Sequence, residues 1–495
     1  MPQSAHYHKD ASRISPKLEV VSSKPQGLSE HERESALSLM HRDSFYTQTV
    51  TTLTTGIFLT GIALQLKAPN FIIGLLVAIP ALTQLLQLPA IALLNRYRSR
   101  QNICAWATLL SRLFLMPLIL MPFIPSTQLA LGVLILSYIC HNGLAAISFC
   151  AWNSLVKDVV PSERLGSFFS RKLAFNALVA IVLSLLGGYF IDYWSHYLPN
   201  ATSWGYSLIF TLAFLIGLLG VRPLQRIPEP RVSNLPEKVQ EISILSMLKQ
   251  PIKDKNFRQM LLFMGCWNFS INLAAPFFAV YMLTMLKYPM ALVTGLTIAS
   301  QVANLIFVKL WGKLADRFSN KSVLSVAAPL FILCILGWTF IPYTDNIQLT
   351  FPTALVTHLF LGIASAGVNL AIGNIALKLA PEKKPDAFLA VNGMVASVAA
   401  GLAPIFGGLF ADYFSHQELS LVLQWHCAKG NLYFKTLDFQ YWDFFFVLAF
   451  ILGLVALTML SRVQEHGEVR KRVIVHQLVS ETARPFTKLY QFMRD

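Results

Sequence analysis

The chain reads as an all-α membrane protein, with twelve transmembrane helices in two pseudo-symmetric six-helix bundles. Three observations predict this. Apolar stretches of roughly 18 to 25 residues, enough to cross a bilayer, recur along the 495 residues. The chain is 55% hydrophobic and 13% charged, where a soluble protein carries about 25% charged residues. The third observation is a repeat. Gly187-Gly188-Tyr189-Phe190-Ile191-Asp192-Tyr193 returns 220 residues later as Gly407-Gly408-Leu409-Phe410-Ala411-Asp412-Tyr413. Leu66-Lys67-x-Pro69 returns at the same offset as Leu286-Lys287-x-Pro289. Pro161 matches Pro381, Phe168 matches Phe388, and Asn95-Arg96 matches Asp316-Arg317. One ancestral half has been duplicated. Two fused halves in a membrane imply a site at their interface that opens to each side in turn.

The elements follow in order. Residues 1–44 are polar and form a cytoplasmic segment without a cleavable signal, in which Leu28 to Met40 can form a short helix. The first bundle, 45–221, holds spans near 45–66, 71–94, 102–124, 127–150, 171–193 and 204–221. Residues 222–257 form a basic, proline-bearing cytoplasmic linker. Within it, 237–249 places Ile242, Leu245 and Leu248 on one helical face, suited to lie on an anionic leaflet. The second bundle, 258–461, holds spans near 258–286, 291–314, 322–343, 350–379, 386–413 and 441–461. Thr211-Leu-Ala-Phe-Leu-Ile-Gly-Leu matches Val447-Leu-Ala-Phe-Ile-Leu-Gly-Leu at an offset of 236, so an external insertion lies near 414–440. It carries Trp425, His426, Cys427 and Tyr433, read as interface anchors or a lid. Residues 462–495 form a basic cytoplasmic tail.

Charge and cysteines exclude other classes. The net charge of +15 is not spread as a nucleic-acid footprint. Only Lys67, Lys287, Lys429 and Lys435 fall in loops on one face, and Arg112 lies within a span. The remaining Lys and Arg lie on or near the opposite face, the positive-inside bias that puts both termini in the cytoplasm. The six cysteines fit neither a disulfide framework nor a zinc site. No metal-ligand cluster, nucleophile elbow or phosphate loop is visible, so an enzyme is not expected, and neither a metal, a cofactor nor catalytic residues are assigned.

Gly312-Lys-Leu-Ala-Asp316-Arg317-Phe-Ser-Asn-Lys321 opens a basic loop after an apolar span. It resembles the G-x-L-A-D-R-x-G-R-K loop motif of the major facilitator superfamily, with Ser319 and Asn320 in place of the second glycine and the basic residue that follows it. The copy after span two, Asn95-Arg96-Tyr97-Arg98-Ser99-Arg100, keeps arginines and loses the aspartate. Ala403-Pro404-Ile-Phe-Gly407-Gly408 in span eleven looks like the G-P-x-x-G-G motif that antiporters of this family carry in span five. The resemblance covers roughly 45–461. It implies two bundles rocking about a central cavity lined mainly by spans 1, 4, 7 and 10, with contributions from 2, 5, 8 and 11. Gly312 is then expected to allow close helix approach, and Asp316 and Arg317 to pair across the cytoplasmic face as a gate.

Polar residues within spans are the candidate solute contacts, because burying them in a bilayer is costly. Gln48 and Thr52 align with Asn268 and Asn272, each pair spaced i, i+4 on one helical face. Thr294, Thr297, Gln301 and Asn304 share a face of span eight. Gln84 and Gln87 sit in span two, and Asn369 in span ten. Helix-to-helix hydrogen bonding is the alternative use of all of these. Asp or Glu is missing from the middle of every expected span, while Arg112, His141 with Asn142, and His358 lie within spans. A central arginine without an evident carboxylate suits an anionic solute, and histidine can carry a proton.

The expected function is a secondary transporter moving a small polar solute, with an anionic one a candidate and proton coupling left open. A drug-like efflux antiporter is one alternative. A non-transporting receptor or assembly partner on the same fold is another. The expected setting is the bilayer of a bacterial inner membrane, as a monomer, with no nucleic-acid partner.

Overall fold

The computed structural model describes residues 28–97, 99–161, 164–229, 244–341, 346–381, 385–415, 417–427, 430–478 and 480–481. Helix α1 (Glu30–Thr54) begins at a capping box. Ser29 Oγ accepts from the Glu32 amide at 3.3 Å, and the Glu32 carboxylate accepts from the Ser29 amide at 2.9 Å. The separate short helix expected ahead of the first span is therefore the beginning of α1 itself, and residues 1–27 lie outside the described residues. A break at Thr55 separates α1 from α2 (Gly56–Gln65).

The first half continues with α3 (Asn70–Thr83), a short 3-10 turn, α4 (Gln87–Tyr97), α5 (Arg100–Leu113), α6 (Met116–Ile119), α7 (Thr127–Val159), α8 (Leu165–Tyr197), α9 (Thr202–Leu219) and α10 (Val221–Arg226). α11 (Ile244–Lys253) covers the end of the expected linker helix, and residues 237–243 of that piece lie outside the described residues. The second half holds α12 (Lys255–Thr284), α13 (Met290–Arg317), α14 (Asn320–Gly337), α15 (Ile347–Leu379), α16 (Pro385–Phe414) and α17 (Trp442–Arg462).

Among the described residues, eleven helical stretches are long and apolar enough to cross a membrane. The first expected span is not one of them. α1 starts in polar sequence and stops at Thr54, and α2 has ten residues. Twelve crossings require α1 and α2 to cross jointly as one broken span.

The insertion between α16 and α17 is an antiparallel hairpin of β1 (Glu418–Cys427) and β2 (Gly430–Gln440), with an irregularity at Leu421/Val422. Trp425, His426 and Cys427 fall on β1 and Tyr433 on β2. Their side chains lie outside the described residues.

Two acidic residues at equivalent places brace the halves internally. Glu229, after α10, accepts from the amide of Arg100 at 2.8 Å at the start of α5. Glu465, after α17, accepts from the amides of Asn320 at 3.2 Å and Lys321 at 2.7 Å at the start of α14. Helix N-termini leave such amides unpaired and carry partial positive charge, which a carboxylate satisfies.

The duplication is written into the backbone as well. Lys67 and Lys287 both adopt left-handed conformations, at φ 51° and 50°. Each is followed by a proline that caps the next helix, Pro69 for α3 and Pro289 for α13. The repeated phrases then meet crosswise. The Asp412 carboxylate, on α16, accepts from the amides of Asn70 and Phe71, each at 2.9 Å. The Asp192 carboxylate, on α8, accepts from the amides of Met290 and Ala291, each at 2.7 Å. Each half thus caps a helix of the other. Small residues permit this approach: a Cβ on Gly408 would lie 2.3 Å from the Asn70 carbonyl, and one on Gly74 would lie 2.0 Å from the Pro404 carbonyl.

Candidate transport site

Beneath this seam lies a cavity of about 470 Å³ between the halves. From the first half it is lined by Gln48, Thr51, Thr52, Thr55, Gly56, Thr60, Tyr138 and Ser184. From the second half Pro276, Thr294, Thr297 and Gln301 face it, with aliphatic side chains between. Its polar lining is hydroxyl and amide, with no charged side chain among the described residues. The volume falls in the range of sites that enclose small molecules.

The break between α1 and α2 opens onto this cavity. Thr55 is extended (φ −124°, ψ −177°) and Gly56 takes φ +56°. The sequence Thr51-Thr52-Leu53-Thr54-Thr55-Gly56 explains why it forms here. The hydroxyls of Thr54 and Thr55 donate to the carbonyls of Val50 at 2.8 Å and Thr51 at 2.7 Å, a bonding pattern that weakens helices. Gly56 then accepts the left-handed turn at no steric cost. Irregular backbone within a membrane is tolerated where it lines a cavity, and broken helices mark binding sites.

A second pocket, of about 320 Å³, lies deeper in the first half and shares Thr51 with the central cavity. Asp43, Thr47, Thr108, Ser111, Arg112, Ser148, Trp152, Lys172 and Asn176 line it. Arg112 is 6% exposed. Its Nη2 donates weakly to Thr47 Oγ1 at 3.5 Å, and its Nε has no hydrogen-bond partner among the described residues. Lys172 Nζ sits 3.4 Å over the Trp152 ring. Asp43, at the start of α1's apolar stretch, lines the same pocket, and no salt bridge joins it to Arg112 among the described residues.

The expected contacts divide. Gln48, Thr52, Thr294, Thr297 and Gln301 line the central cavity, and Arg112 lines the charged pocket. The others line neither. His141 is buried, with Nδ1 2.8 Å from the Ser111 carbonyl and 3.0 Å from its hydroxyl. His358 is buried with Nδ1 3.0 Å from the Ala354 carbonyl, edge-on to Trp338. Both rings are packed into helix contacts. Asn142, Asn268 and Asn272 donate to backbone carbonyls one turn back on their own helices, and Asn304 donates to Ser365 on α15 at 2.9 Å. Gln84 bonds to Gln87, and Asn369 is exposed on α15.

The loop motif differs from its expected role. A Cβ on Gly312 would meet Leu370 Cδ1 at 3.5 Å, an ordinary contact, so close approach does not require glycine there. Asp316 and Arg317 are exposed, and the Arg317 guanidinium lies 5.3 Å over the Phe318 ring. The carboxylate bracing this loop is Glu465. Reading the spans missed Thr51, Thr55, Gly56, Thr60 and Ser184. The threonine run before a glycine was the visible signal for three of them.

The sequence profile of the Major Facilitator Superfamily matches residues 44–357, so the chain belongs to that family. It is a multi-pass membrane transport protein and not an enzyme. A stretch of 127 residues is 26% identical to a putative sugar transporter, ERD6-like 13, of Arabidopsis thaliana; the match covers 26% of this chain and about a quarter (24%) of that protein. The fold is similar to that of the nucleoside transporter NupG, with TM-score 0.60 and 11% identity over 88% of this chain and 99% of the other. It is also similar to the inward-open xylose transporter XylE of E. coli, with TM-score 0.55 and 18% identity over 88% and 96%.

Proposed function

We propose that this protein is a secondary transporter that carries a small, hydroxyl-bearing solute by alternating access, bound in the cavity beneath the crosswise seam. The uncharged hydroxyl and amide lining of that cavity carries the reading. Gln48, Thr52 and Gln301 offer paired donors and acceptors to sugar-like hydroxyls. The names of the similar proteins, sugar, nucleoside and xylose transporters, agree with such a solute. The broken first span supplies backbone groups to the same cavity. The seam closes the side bearing Lys67 and Lys287, and the loop of Gly312, Asp316 and Arg317 belongs to the opposite, basic side. By the positive-inside bias that side is cytoplasmic, with both termini there. The short connections suit a bacterial inner membrane, and a monomer suffices for the mechanism.

A second reading is favoured by the unpaired Nε of buried Arg112. A solute with one anionic group could rest its body in the central cavity and reach Arg112 and Lys172 past Thr51. Proton coupling would fall to the same pocket, through Asp43, rather than to the buried histidines. Efflux of lipophilic cations lacks a carboxylate in the central lining. A non-transporting role leaves the polar cavity unexplained.

Thermal stabilisation of the purified protein separates these readings. Panels of sugars, nucleosides, their phosphorylated or carboxylated forms, amino acids and lipophilic cations are compared. Stabilisation by neutral hydroxyl-bearing solutes that is lost in Gln48→Ala and kept in Arg112→Gln supports the first reading. Stabilisation only by anionic forms, lost in Arg112→Gln, replaces it with the second. Stabilisation by lipophilic cations alone defeats both.

A further inference from the structure

A groove on the outside of the first half is unrelated to the transport cavity. It lies between α1 and α8, which both run into the membrane from the basic side, and it is bordered by Arg42, Phe45 and Tyr46 on α1 and Arg171 and Phe175 on α8, with Ser38 and His41 above. It measures about 570 Å³, and no acidic side chain among the described residues lines it. Each helix repeats one arrangement. An exposed arginine comes first, and an exposed phenylalanine follows one turn deeper: Arg42 then Phe45, and Arg171 then Phe175. The two phenylalanine rings are 6.3 Å apart. Neither arginine is in a salt bridge among the described residues.

The level and surroundings of the groove identify its occupant. Phe175 begins a row of exposed apolar side chains at helical spacing along α8: Leu178, Val182, Leu186 and Tyr189, ending at Tyr193. Leu178, Leu186 and Tyr189 are each about 60% exposed or more (59%, 62% and 67%), with no covering element among the described residues. Such a face meets lipid chains and not water. At 1.5 Å per residue, Arg171 to Tyr193 spans about 33 Å, close to the thickness of a hydrocarbon core. Arg171 therefore stands at the headgroup level on the basic side, and Tyr193 in the opposite aromatic belt. Two unpaired guanidinium groups at this depth, above an apolar groove, complement a phosphate joined to acyl chains.

We propose that this groove holds an anionic phospholipid, with its headgroup phosphate between Arg42 and Arg171 and an acyl chain along the Phe175 row. Because α1 continues into the broken span, the lipid would brace the helix that lines the solute cavity.

The test uses the full chain purified in mild detergent. Its melting is followed while phosphatidylglycerol, phosphatidylcholine or free glycerol phosphate is added. Phosphatidylglycerol should stabilise, and the other two should not. Arg42→Gln with Arg171→Gln should weaken the phosphatidylglycerol effect roughly tenfold to thirtyfold, as for losing two cations at a charged surface. Arg42→Lys with Arg171→Lys should retain most of it, and Arg226→Gln, an exposed arginine elsewhere on the basic side, should leave it unchanged. Each single Gln variant should show a partial loss, which keeps the test usable if the double variant melts early. Equal stabilisation by phosphatidylcholine would overturn the proposal. So would equal stabilisation by free glycerol phosphate, which would mark a soluble-anion site, or an equal loss in Arg226→Gln.

Discussion

Two glycines act in opposite ways in this protein. Gly56 is needed for its backbone: it takes φ +56° and nothing lies within 4 Å of where a Cβ would be. Gly56→Ala should therefore lower stability by about 1 kcal/mol through backbone strain. Gly56→Asn should cost less, because Asn visits that region more readily. Calorimetric melting distinguishes them, and equal losses would argue against a backbone cause. Gly74 is needed for space. Gly74→Ala puts a methyl group against the Pro404 carbonyl and should destabilise the sealed conformation by about 1–3 kcal/mol. Its signature is increased reactivity at the outer end of the cavity, which Gly56→Ala should not produce. Polarity within spans singled out Gln48, Thr52, Thr294, Thr297 and Gln301, which line the central cavity. The same criterion overrated His141 and His358, because a buried histidine satisfied by a backbone carbonyl has the same sequence signature as one facing solute.

At the scale of elements, the duplicated phrases explain one another only in pairs. Gly-Gly-x-Phe-x-Asp-Tyr supplies a carboxylate and close approach, and Leu-Lys-x-Pro ends one helix and starts the next with free amides. The offset of 220 residues was legible, but the partnership was not. Nothing in a linear repeat says that Asp192 pairs with the second copy of the turn and Asp412 with the first. Asp192→Asn and Asp412→Asn should each remove a charge from a helix N-terminus, worth about 1–2 kcal/mol in a partly buried setting. That is roughly tenfold in the balance between sealed and open states of the side bearing Lys67 and Lys287, and the double variant should exceed either single. Labelling rates of an outer-side cysteine measure this, and rates unchanged in the double variant would remove the latch from the account. The broken first span also escaped the sequence reading, since hydropathy averaged over the window hides one extended residue and one left-handed glycine. The β1–β2 hairpin was hidden for a related reason. Alternation in Glu418-Leu-Ser-Leu-Val-Leu is a strand signal, but the loop was weighed by its aromatic content instead.

For the whole molecule, composition, span lengths and charge asymmetry carried the fold class, because the bilayer admits few architectures. The solute site was less legible, since it is assembled from both halves and depends on which faces meet. In the resulting account two halves cap each other's helices on one side, and the uncharged cavity under that seam exchanges its opening between the two sides. The loop after α13 is braced by Glu465 within its own half, and among the described residues the side-chain hydrogen bonds that join the halves lie on the opposite face.

The most direct measurement requires no knowledge of the solute. Cys104, Cys140, Cys150, Cys266, Cys334 and Cys427 are replaced, and Thr52→Cys places one thiol in the central cavity. In oriented proteoliposomes, a membrane-impermeant thiol reagent is applied from each side in turn. Labelling is expected mainly from the basic side. Adding Asp192→Asn and Asp412→Asn should raise labelling from the other side roughly tenfold or more, following the loss of both caps. Labelling from neither side, or labelling from the outer side that does not respond to the two aspartates, would contradict this mechanism.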